Sequence, residues 1–401
     1  MVPPSGQSSG FSRIGYTTIG MAGLRNLGNT CFFNSTIQCL SATTPFARFF
    51  RDGSFRRHLN RSNSLGTGGA VTTAFADLIR AMWSEQETVV VPSKFKDVIG
   101  KYHPEFQGSD QQDSSEFLQF IMDAMHEDMN VARRPGVTPE KEPDDEEHLS
   151  DQVAASRAWQ RYTRLNWSII VDLFQGQLQS RLTCLTCRKT STTYNAFMYL
   201  TLPIPEMNRL QQRGGPVYLE ECLDKFLEVE TLSGADAWHC PRCKQLRTAT
   251  KQLAIMRLPP VLLINLKRFY YQGHFRNKID TYVEYETGSL SLTHVVAAPR
   301  DVPPPQREAY VYDLYAISNH YGGLSGGHYT ANIKNGHKQQ WYNFNDARIT
   351  ECKESDVKTK AAYTLYYVRA TAPGQQLVSG HWWDTDLPSA SGSTSSLSSR
   401  R

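Results

Sequence analysis

Residues 23–34 read GLRNLGNTCFFN, and this stretch contains the cysteine on which the interpretation of the chain depends. Gly28, Asn29 and Thr30 predict a turn, and apolar residues recur at helical spacing after it. Cys31 should therefore lie in the first turn of a helix that Asn29 or Thr30 caps. Because unpaired N–H groups and the helix dipole favour an anion at this end, we expect the pKa of Cys31 to fall and its reactivity to rise.

Cys31 also has a simpler interpretation, that of a buried structural cysteine. Free cysteines are among the most buried residue types, so this is the commoner fate of a cysteine taken alone. Cys39, which lies further along the same predicted helix, fits that description. Further segments have to decide between the two interpretations of Cys31.

Length and composition limit the classes of protein to consider. The 401 residues are 40% hydrophobic, which suits two or three domains or one large elaborated domain. The 43 Lys and Arg residues nearly balance the 39 Asp and Glu residues, so no basic stripe indicates nucleic acid. No apolar run reaches the roughly 18 residues of a membrane span, and residues 1–10 lack a hydrophobic signal core. We expect a cytoplasmic monomer that neither binds nucleic acid nor inserts into membranes.

The pattern changes from helical to β along the chain. Residues 69–84 and 114–130 predict amphipathic helices, and a further helix is expected through residues 159–167. The stretches that predict strands are residues 176–183, 196–202, 261–269, 310–318, 328–334, 340–344 and 362–368. A helical first half followed by a sheet is typical of an α+β fold.

Low-complexity segments at both ends bound the predicted domain. Residues 1–21 and the Ser-rich residues 372–401 predict disorder, which leaves residues 22–371 as one folded domain. Surface loops are predicted at residues 134–150, 206–216 and 298–308.

Two Cys-x-x-Cys pairs indicate a metal site. Cys184 with Cys187, and Cys240 with Cys243, can together present four thiolates to one tetrahedral Zn²⁺ at about 2.3 Å. Four cysteines match a closed structural site, so we expect one zinc ion per chain. A thioredoxin-like redox pair is the alternative, but two pairs without a βαβ pattern argue against it. His239, beside Cys240, is an alternative ligand.

A histidine and its neighbours complete a possible catalytic set. His328 follows a glycine-rich loop, in which Gly326 and Gly327 let another backbone approach closely, and it begins a predicted strand. A cysteine nucleophile needs such a base, and the base needs an orienting group. Asn345 or Asp346, at the end of a later strand, can accept a hydrogen bond from the Nδ1–H group of His328.

These segments resemble the motifs of a known family. GLRNLGNTCFFNSTIQCL at residues 23–40 resembles the cysteine box of the ubiquitin-specific proteases, which are papain-like deubiquitinases. SGGHYTANI at 325–333 and QQWYNFNDARI at 339–349 resemble their histidine box, and QQDSSEFL at 111–118 resembles their QQD helix. The four cysteines match the family's zinc ribbon, so the resemblance covers about residues 22–370.

A narrower resemblance is to the endosomal, UBPY-like branch. It is carried by residues 60–63, 174–177 and 196–200. It implies endosomes as an additional location beside the cytoplasm.

The resemblance implies a hand-shaped fold and a reaction. A helical thumb would carry Cys31, an antiparallel β palm would carry His328, and zinc-bearing fingers at about residues 176–255 would cradle ubiquitin. Cys31 would attack the carbonyl after the last glycine of ubiquitin and form a thioester, while His328 moves the proton. Asn26 matches the family's oxyanion donor. Asn345 takes the third triad position, which is often Asp in the family, and Asp346 beside it can supply that charge instead.

The resemblance also implies how the ubiquitin tail binds. Gly326 and Gly327 suit a narrow channel for the two terminal glycines of ubiquitin. Asp113 and Glu116 are three residues apart on one predicted helix, so they share a face that can meet the arginine of the tail. The alternative is a solvated helix face. Ubiquitin, ubiquitinated proteins and polyubiquitin chains are the implied partners.

Three other functions remain to be weighed. A catalytically inactive ubiquitin-binding module is disfavoured because Cys31, His328 and the Asn345/Asp346 pair are all present. The near-neutral charge disfavours a zinc-ribbon nucleic-acid binder. The absence of a signal core at residues 1–10 disfavours a lysosomal papain-like protease.

Overall fold

The computed structural model describes residues 20–133, 136, 138, 148–205, 216–272, 275–297, 310–323, 326–336 and 339–370. The predicted disordered residues 372–401 lie outside the described residues, as do all but residues 20 and 21 of the N-terminal segment. Most of the three predicted loops also lies outside them. The predicted domain limits therefore stay predictions.

Helices form most of the first half, as their apolar spacing predicts. They are α1 (Cys31–Ala42), α2 (Thr44–Arg51), α3 (Ala70–Met82), α4 (Ser93–Tyr102), α5 (Ser114–Asp128), α6 (Asp151–Thr163), α7 (Ile169–Phe174) and α8 (Leu219–Leu227). Phe33, Ile37 and Leu40 are buried on α1, and this helix packs against α5 and against the central sheet. Within the described residues, no helix is long and apolar enough to span a membrane.

The predicted helix through residues 159–167 is wrong at its end, because α6 stops at Thr163. Asn130 explains the early stop. Its amide donates to Leu165 O at 2.9 Å, and its Oδ1 accepts from the backbone N–H of Trp167 at 3.0 Å. A side chain thus takes backbone groups that a longer helix would pair internally.

Strands supply the rest of the fold. They are β1 (Gly23–Leu24), β2 (Val89–Val90), β3 (Gly176–Cys184), β4 (Thr190–Phe197), β5 (Leu200–Pro203), β6 (Val217–Tyr218), β7 (Glu230–Leu232), β8 (Trp238–Cys240), β9 (Gln245–Arg247), β10 (Ala249–Arg257), β11 (Val261–Lys267), β12 (Phe269–Gln272), β13 (Phe275–Lys278), β14 (Val283–Glu284), β15 (Leu290–Ser291), β16 (Val311–Gly323), β17 (Gly326–Asn335), β18 (Gln340–Asn345), β19 (Arg348–Cys352) and β20 (Ala362–Arg369). The single strand predicted at residues 196–202 is wrong, because β4 and β5 divide it between two sheets.

The largest sheet, here the palm sheet, has the strand order β19-β18-β17-β16-β20-β11-β5, with β15 beside β16. Its pairs are antiparallel except β11 with β5, where Ile264 pairs with Leu200 in parallel. The palm is therefore antiparallel, as predicted, with this one parallel pair as an exception. A parallel pair needs a long connection between its strands, and here α8 and the strands β6–β10 provide one.

A second sheet, here the finger sheet, has the order β4-β3-β10-β7. Its long strands β3 and β10 pair antiparallel from Cys184 opposite Ala249 to Gln177 opposite Arg257. The small β8–β9 hairpin lies at the Cys184 end, because Leu185 N donates to Thr248 O at 3.0 Å. The fold therefore has a helical part, a central sheet and a projecting finger sheet.

Candidate active site and cysteine cluster

Cys31 is the first residue of α1, as predicted, and only 3% of its surface is exposed. Thr30, one of the two predicted caps, holds the N-cap position, but its side chain makes no capping hydrogen bond. Thr30 Oγ1 instead accepts from Leu27 N at 2.8 Å, and Asn29 adopts a left-handed backbone conformation with a φ of 51°. The Thr30 side chain and the Asn29 backbone therefore build the turn that precedes the helix.

The pKa of Cys31 is raised, which is opposite to the predicted direction. Burial is the largest cause, because the thiolate loses its hydration. The backbone N–H of Tyr329 favours the thiolate and lowers the pKa, whereas the negative charge of Asp346 raises it. The helix position alone therefore does not ionise Cys31. A positive partner is needed to do so.

His328 lies near the start of β17 and contacts Asn345, the last residue of β18. The atoms in contact are His328 Nε2 and Asn345 Oδ1, 2.7 Å apart. The prediction that Asn345 or Asp346 accepts from Nδ1 is therefore wrong about the nitrogen. Because Asn345 Oδ1 can only accept, it fixes the proton on Nε2 and leaves Nδ1 as the basic nitrogen.

Asp346 follows Asn345 but makes different contacts. Its Oδ2 accepts from Asn26 Nδ2 at 2.9 Å, and its Oδ1 accepts from Asn34 Nδ2 at 2.7 Å. The left-handed conformation of Asp346, with a φ of 50°, turns the chain at this point. The structure thus divides the two candidate orienting residues, with Asn345 on His328 and Asp346 on Asn26.

The neighbours of Asn26 decide between the two possible orientations of its amide. Its Oδ1 accepts from Gly28 N at 2.9 Å and from Thr30 N at 3.2 Å. The Nδ2 group must then face Asp346, since a flipped amide would set an acceptor against the carboxylate. One N–H of Nδ2 serves Asp346, and the other can donate elsewhere, as an oxyanion donor requires.

The cysteine segment is tied directly to the Asp346 turn. Leu24 N donates to Asp346 O at 3.0 Å. Gly23 approaches so closely that a Cβ atom there would lie 2.5 Å from Ala347 O. The chain therefore needs glycine at residue 23 to bring Cys31 and Asp346 together.

The QQD segment meets the glycine-rich loop. Gln111 Nε2 donates to Gly327 O at 2.9 Å, and Gly327 N donates to Gln111 Oε1 at 2.7 Å. A Cβ atom at Gly327 would clash with His320 Nε2, whereas Gly326 has open space around it. Only Gly327 of the two predicted channel glycines is therefore required by close packing.

Asp113 and Glu116 both line a cavity of about 1010 Å³ that also includes Gln111, His320, Tyr329 and Tyr363. Asp113 precedes α5 as its N-cap, with Oδ1 accepting from Ser115 N at 2.6 Å. Its Oδ2 accepts from Tyr363 Oη at 2.6 Å. Glu116 is exposed in the first helical turn. The two acids therefore share a cavity, and Asp113 also caps α5 and binds Tyr363.

The four predicted metal cysteines come together at the end of the finger sheet. Their Sγ atoms all lie within 4.8 Å of one another, and those of Cys187 and Cys240 are 3.6 Å apart. Ligands at about 2.3 Å from a tetrahedral Zn²⁺ would be about 3.8 Å apart, so the cluster fits that ion. His239 is exposed and is not part of the cluster.

Each Cys-x-x-Cys pair forms the same turn. Arg188 N donates to Cys184 O at 3.0 Å, and Lys244 N donates to Cys240 O at 2.8 Å. Arg188 and Lys244 both have left-handed backbones, with φ values of 61° and 54°. The backbone thus curls each pair of thiols toward a common centre.

Several residues of the site were missed by sequence reasoning. Asn34 lies in the quoted cysteine segment and Gln111 in the QQD segment, but their partners 312 and 216 residues away could not be read from either motif. Tyr363 lies in a predicted strand and carried no signal.

Comparisons with known proteins place the chain in a family. The sequence profile described as ubiquitin carboxyl-terminal hydrolase matches residues 22–367. Ubiquitin carboxyl-terminal hydrolase 2 of Rattus norvegicus is 38% identical over 382 residues, covering 92% of this chain and 59% of that protein. Ubiquitin carboxyl-terminal hydrolase 4 of Saccharomyces cerevisiae (strain YJM789) is 38% identical over 368 residues, covering 86% of this chain and 39% of that protein.

Among solved structures, a SAGA DUB module of Ubp8, Sgf11, Sus1 and Sgf73 bound to monoubiquitin has a similar chain. The TM-score is 0.66 at 25% identity, over 88% of this chain and 70% of that chain. This chain spans 59% and 39% of the lengths of the two curated relatives. The profile match over most of the folded residues nevertheless shows that the chain belongs to the ubiquitin carboxyl-terminal hydrolase family.

Proposed function

We propose that this protein is a deubiquitinating cysteine protease that hydrolyses the isopeptide or peptide bond after the C-terminal glycine of ubiquitin. The observation that carries the proposal is the 2.7 Å contact between His328 and Asn345, with Cys31 next to the backbone of Tyr329, the residue after His328. The names of the relatives and the monoubiquitin bound in the SAGA module support ubiquitin as the substrate.

The chemistry begins with the transfer of a proton from Cys31 to Nδ1 of His328. The resulting imidazolium supplies the positive charge that a buried thiolate needs, and Asn345 keeps the ring oriented through Nε2. The thiolate attacks the carbonyl carbon of the last ubiquitin glycine. His328 then protonates the leaving amine, and the acyl group stays on Cys31 as a thioester that water hydrolyses.

The oxyanion of the tetrahedral intermediate requires donors that are already in place. Asn26 provides one through the Nδ2 hydrogen that Asp346 does not use, and backbone N–H groups at the start of α1 provide others. Removing one such donor typically raises the barrier by about 2.7–4 kcal/mol. Asp346 acts in this scheme by holding Asn26.

The cavity next to the QQD segment is proposed to receive the ubiquitin tail. Gly326 and Gly327 leave room for two glycines, and the paired hydrogen bonds of Gln111 with Gly327 hold the wall of the channel. Glu116 is exposed and suits an arginine of the tail. Asp113 adds negative charge from the floor while it anchors Tyr363.

One zinc ion per chain is proposed for the cysteine cluster. The ion would be held by Cys184, Cys187, Cys240 and Cys243, with no open position for a substrate, so its contribution is to the stability of the finger sheet. Elemental analysis of the purified protein should find one zinc per chain, and its absence from the native protein would remove this proposal.

The cellular setting is also a proposal. We propose a cytoplasmic monomer with an additional endosomal location, acting on ubiquitinated proteins and polyubiquitin chains. All eight cysteines are free of disulfides, which fits a reducing compartment. Microscopy of the tagged protein with an endosomal marker tests the location, and light scattering tests the monomer.

The activity is tested with a panel of di-ubiquitin linkages and folded, zinc-loaded protein. Release of monoubiquitin from at least one linkage is the expected result, together with no digestion of unfolded casein. Tight ubiquitin binding without cleavage of any linkage would instead indicate an inactive binding module, and casein digestion would indicate a general papain-like protease.

A further inference from the structure

Asn34 is a buried polar residue that the catalytic scheme has not used. It lies three residues after Cys31 on α1, and only 2% of its surface is exposed. Its Nδ2 donates to Asp346 Oδ1 at 2.7 Å and is 3.4 Å from Leu24 O. Its Oδ1 is buried without a hydrogen-bond partner among the described residues.

The unpartnered oxygen makes Asn34 a costly choice for packing alone. A buried acceptor that has lost water and gained no partner destabilises the folded state, and leucine would fill a similar volume without this cost. A residue that carries a stability cost beside reactive groups is expected to serve the site. The Nδ2 group of Asn34, which donates to Asp346, is the part of the side chain that can serve the site.

The carboxylate of Asp346 is held at both oxygens. Asn34 binds Oδ1 from α1, and Asn26 binds Oδ2 from the turn before α1. The terminal torsion of an aspartate is broad, so one hydrogen bond alone does not fix the plane of the carboxylate. The second bond fixes it, and it thereby fixes the direction in which Oδ2 holds the Asn26 amide.

We infer that Asn34 is a positioning residue that acts through Asp346 to aim the Asn26 amide at the oxyanion. The inference rests on the proposed function, because it deepens the role of the same site. Asn34 contacts neither His328 nor the thiol in this scheme. Its loss should therefore slow acyl transfer, which needs the oxyanion donor, without slowing alkylation of Cys31, which does not.

Gln38 provides a matched control. It is also a buried amide on α1, 2% exposed, and its Nε2 donates to Ala22 O at 2.8 Å. Asn34→Asp and Gln38→Glu both convert a buried amide of the same helix into an acid. Only Asn34→Asp places a new carboxylate next to the carboxylate of Asp346.

The test measures kcat and KM against pH for hydrolysis of a ubiquitin–aminocoumarin conjugate by zinc-loaded protein. In Asn34→Asp, the facing carboxylates share a proton at low pH, which restores the bond to Asp346, and they repel each other once that proton is lost. We expect kcat to fall about tenfold at pH 8 and to recover toward pH 6, with KM within about twofold. Cys31 and His328 are present in all three proteins, so the wild type and Gln38→Glu show their contribution to the pH profile.

Asn34→Leu provides the second readout and remains useful if Asn34→Asp folds poorly. It should lower kcat about tenfold across the pH range while leaving the rate of Cys31 alkylation by iodoacetamide within about twofold. Equal losses of turnover and alkylation would overturn the inference, since they indicate general distortion. So would an unchanged kcat in either Asn34 variant, or the same pH-dependent loss in Gln38→Glu. A wild type that does not hydrolyse the conjugate overturns the proposed function, and this inference with it.

Discussion

Cys31, the proposed nucleophile, and the finger cysteines use the same side chain in opposite surroundings. Cys31 is buried, its pKa is raised, and Asp346 adds negative charge nearby. Cys184, Cys187, Cys240 and Cys243 bring four thiols within 4.8 Å of one another, an arrangement that fits a Zn²⁺ ion between them. A buried thiolate needs a compensating positive charge in both places.

The position of Cys31 at the start of a helix is therefore not enough to make it a nucleophile. At the fingers, the proposed zinc ion supplies permanent charge, so those thiolates are structural and closed to substrate. At Cys31, the proposed mechanism takes the charge from His328, which receives the proton of Cys31. In this proposal, the reversible charge on His328 makes Cys31 reactive, and the permanent charge of the zinc ion makes the cysteine cluster inert.

The largest expected effect is the loss of the reactive thiol itself. Cys31→Ala should lower turnover of ubiquitin conjugates by about 10⁴- to 10⁶-fold while ubiquitin binding is retained. Cys39→Ala is the matched control, because Cys39 is fully buried on the same helix and should affect stability but not turnover. Loss of ubiquitin binding in Cys31→Ala would show that Cys31 is structural.

The second largest effect is expected in the zinc content and stability of the finger sheet rather than in catalysis. Cys184→Ser should reduce the zinc content from one ion per chain to none and lower the melting temperature by roughly 5–10 °C. Cys352→Ser, a half-buried cysteine on β19, should leave both unchanged. A Cys184→Ser protein with full zinc content and an unaltered melting temperature would contradict the assignment of the cluster.

A third prediction separates Asn345 from Asp346. Asn345→Ala should lower kcat about 10²-fold and should also slow alkylation of Cys31, because His328 loses its orientation. Asp346→Ala should lower kcat about tenfold but speed alkylation at neutral pH, since removing its charge lowers the pKa of Cys31. Asn343→Ala, two residues earlier on β18, serves as the control. Identical behaviour of the two main variants would show that the structure divides their roles incorrectly.

The smallest predicted effect concerns the Cys31 thiol in the protein without bound ubiquitin. Because burial raises the pKa of Cys31, alkylation of the ubiquitin-free protein by iodoacetamide should increase with pH through the alkaline range, with a midpoint above that of an ordinary cysteine thiol. Subtracting the rate of Cys31→Ala removes the contribution of the other cysteines. A midpoint below about 7 would mean that His328 already holds Cys31 as a thiolate.

The sequence predicted those features that are specified by residues close together in the chain. The Cys-x-x-Cys spacing placed four thiols together, and the turn at residues 28–30 placed Cys31 at the start of α1. The strands at 261–267 and 362–369 also followed their patterns. The helix α4 was missed because its apolar face is short, with Phe95 and Ile99 as its buried aliphatic and aromatic residues.

The atomic roles depended on packing between distant segments and could not be predicted. His328 contacts Asn345 through Nε2, and the Asp346 carboxylate holds Asn26. Both contacts depend on how β17 and β18 pack against α1. The direction of the Cys31 pKa depended on burial, which the helix-terminus argument did not include. The catalytic roles of these residues remain predictions.

The central claim is that Cys31 is a nucleophile for the C-terminus of ubiquitin, and a covalent probe tests it most directly. Folded, zinc-loaded wild-type protein is incubated with ubiquitin that carries an electrophile at its C-terminus, and the adduct is mapped by mass spectrometry of peptides. We expect one ubiquitin per chain, attached to Cys31, and no adduct with Cys31→Ala. A wild-type protein that stays unmodified, or an adduct on another cysteine such as Cys352, would contradict it.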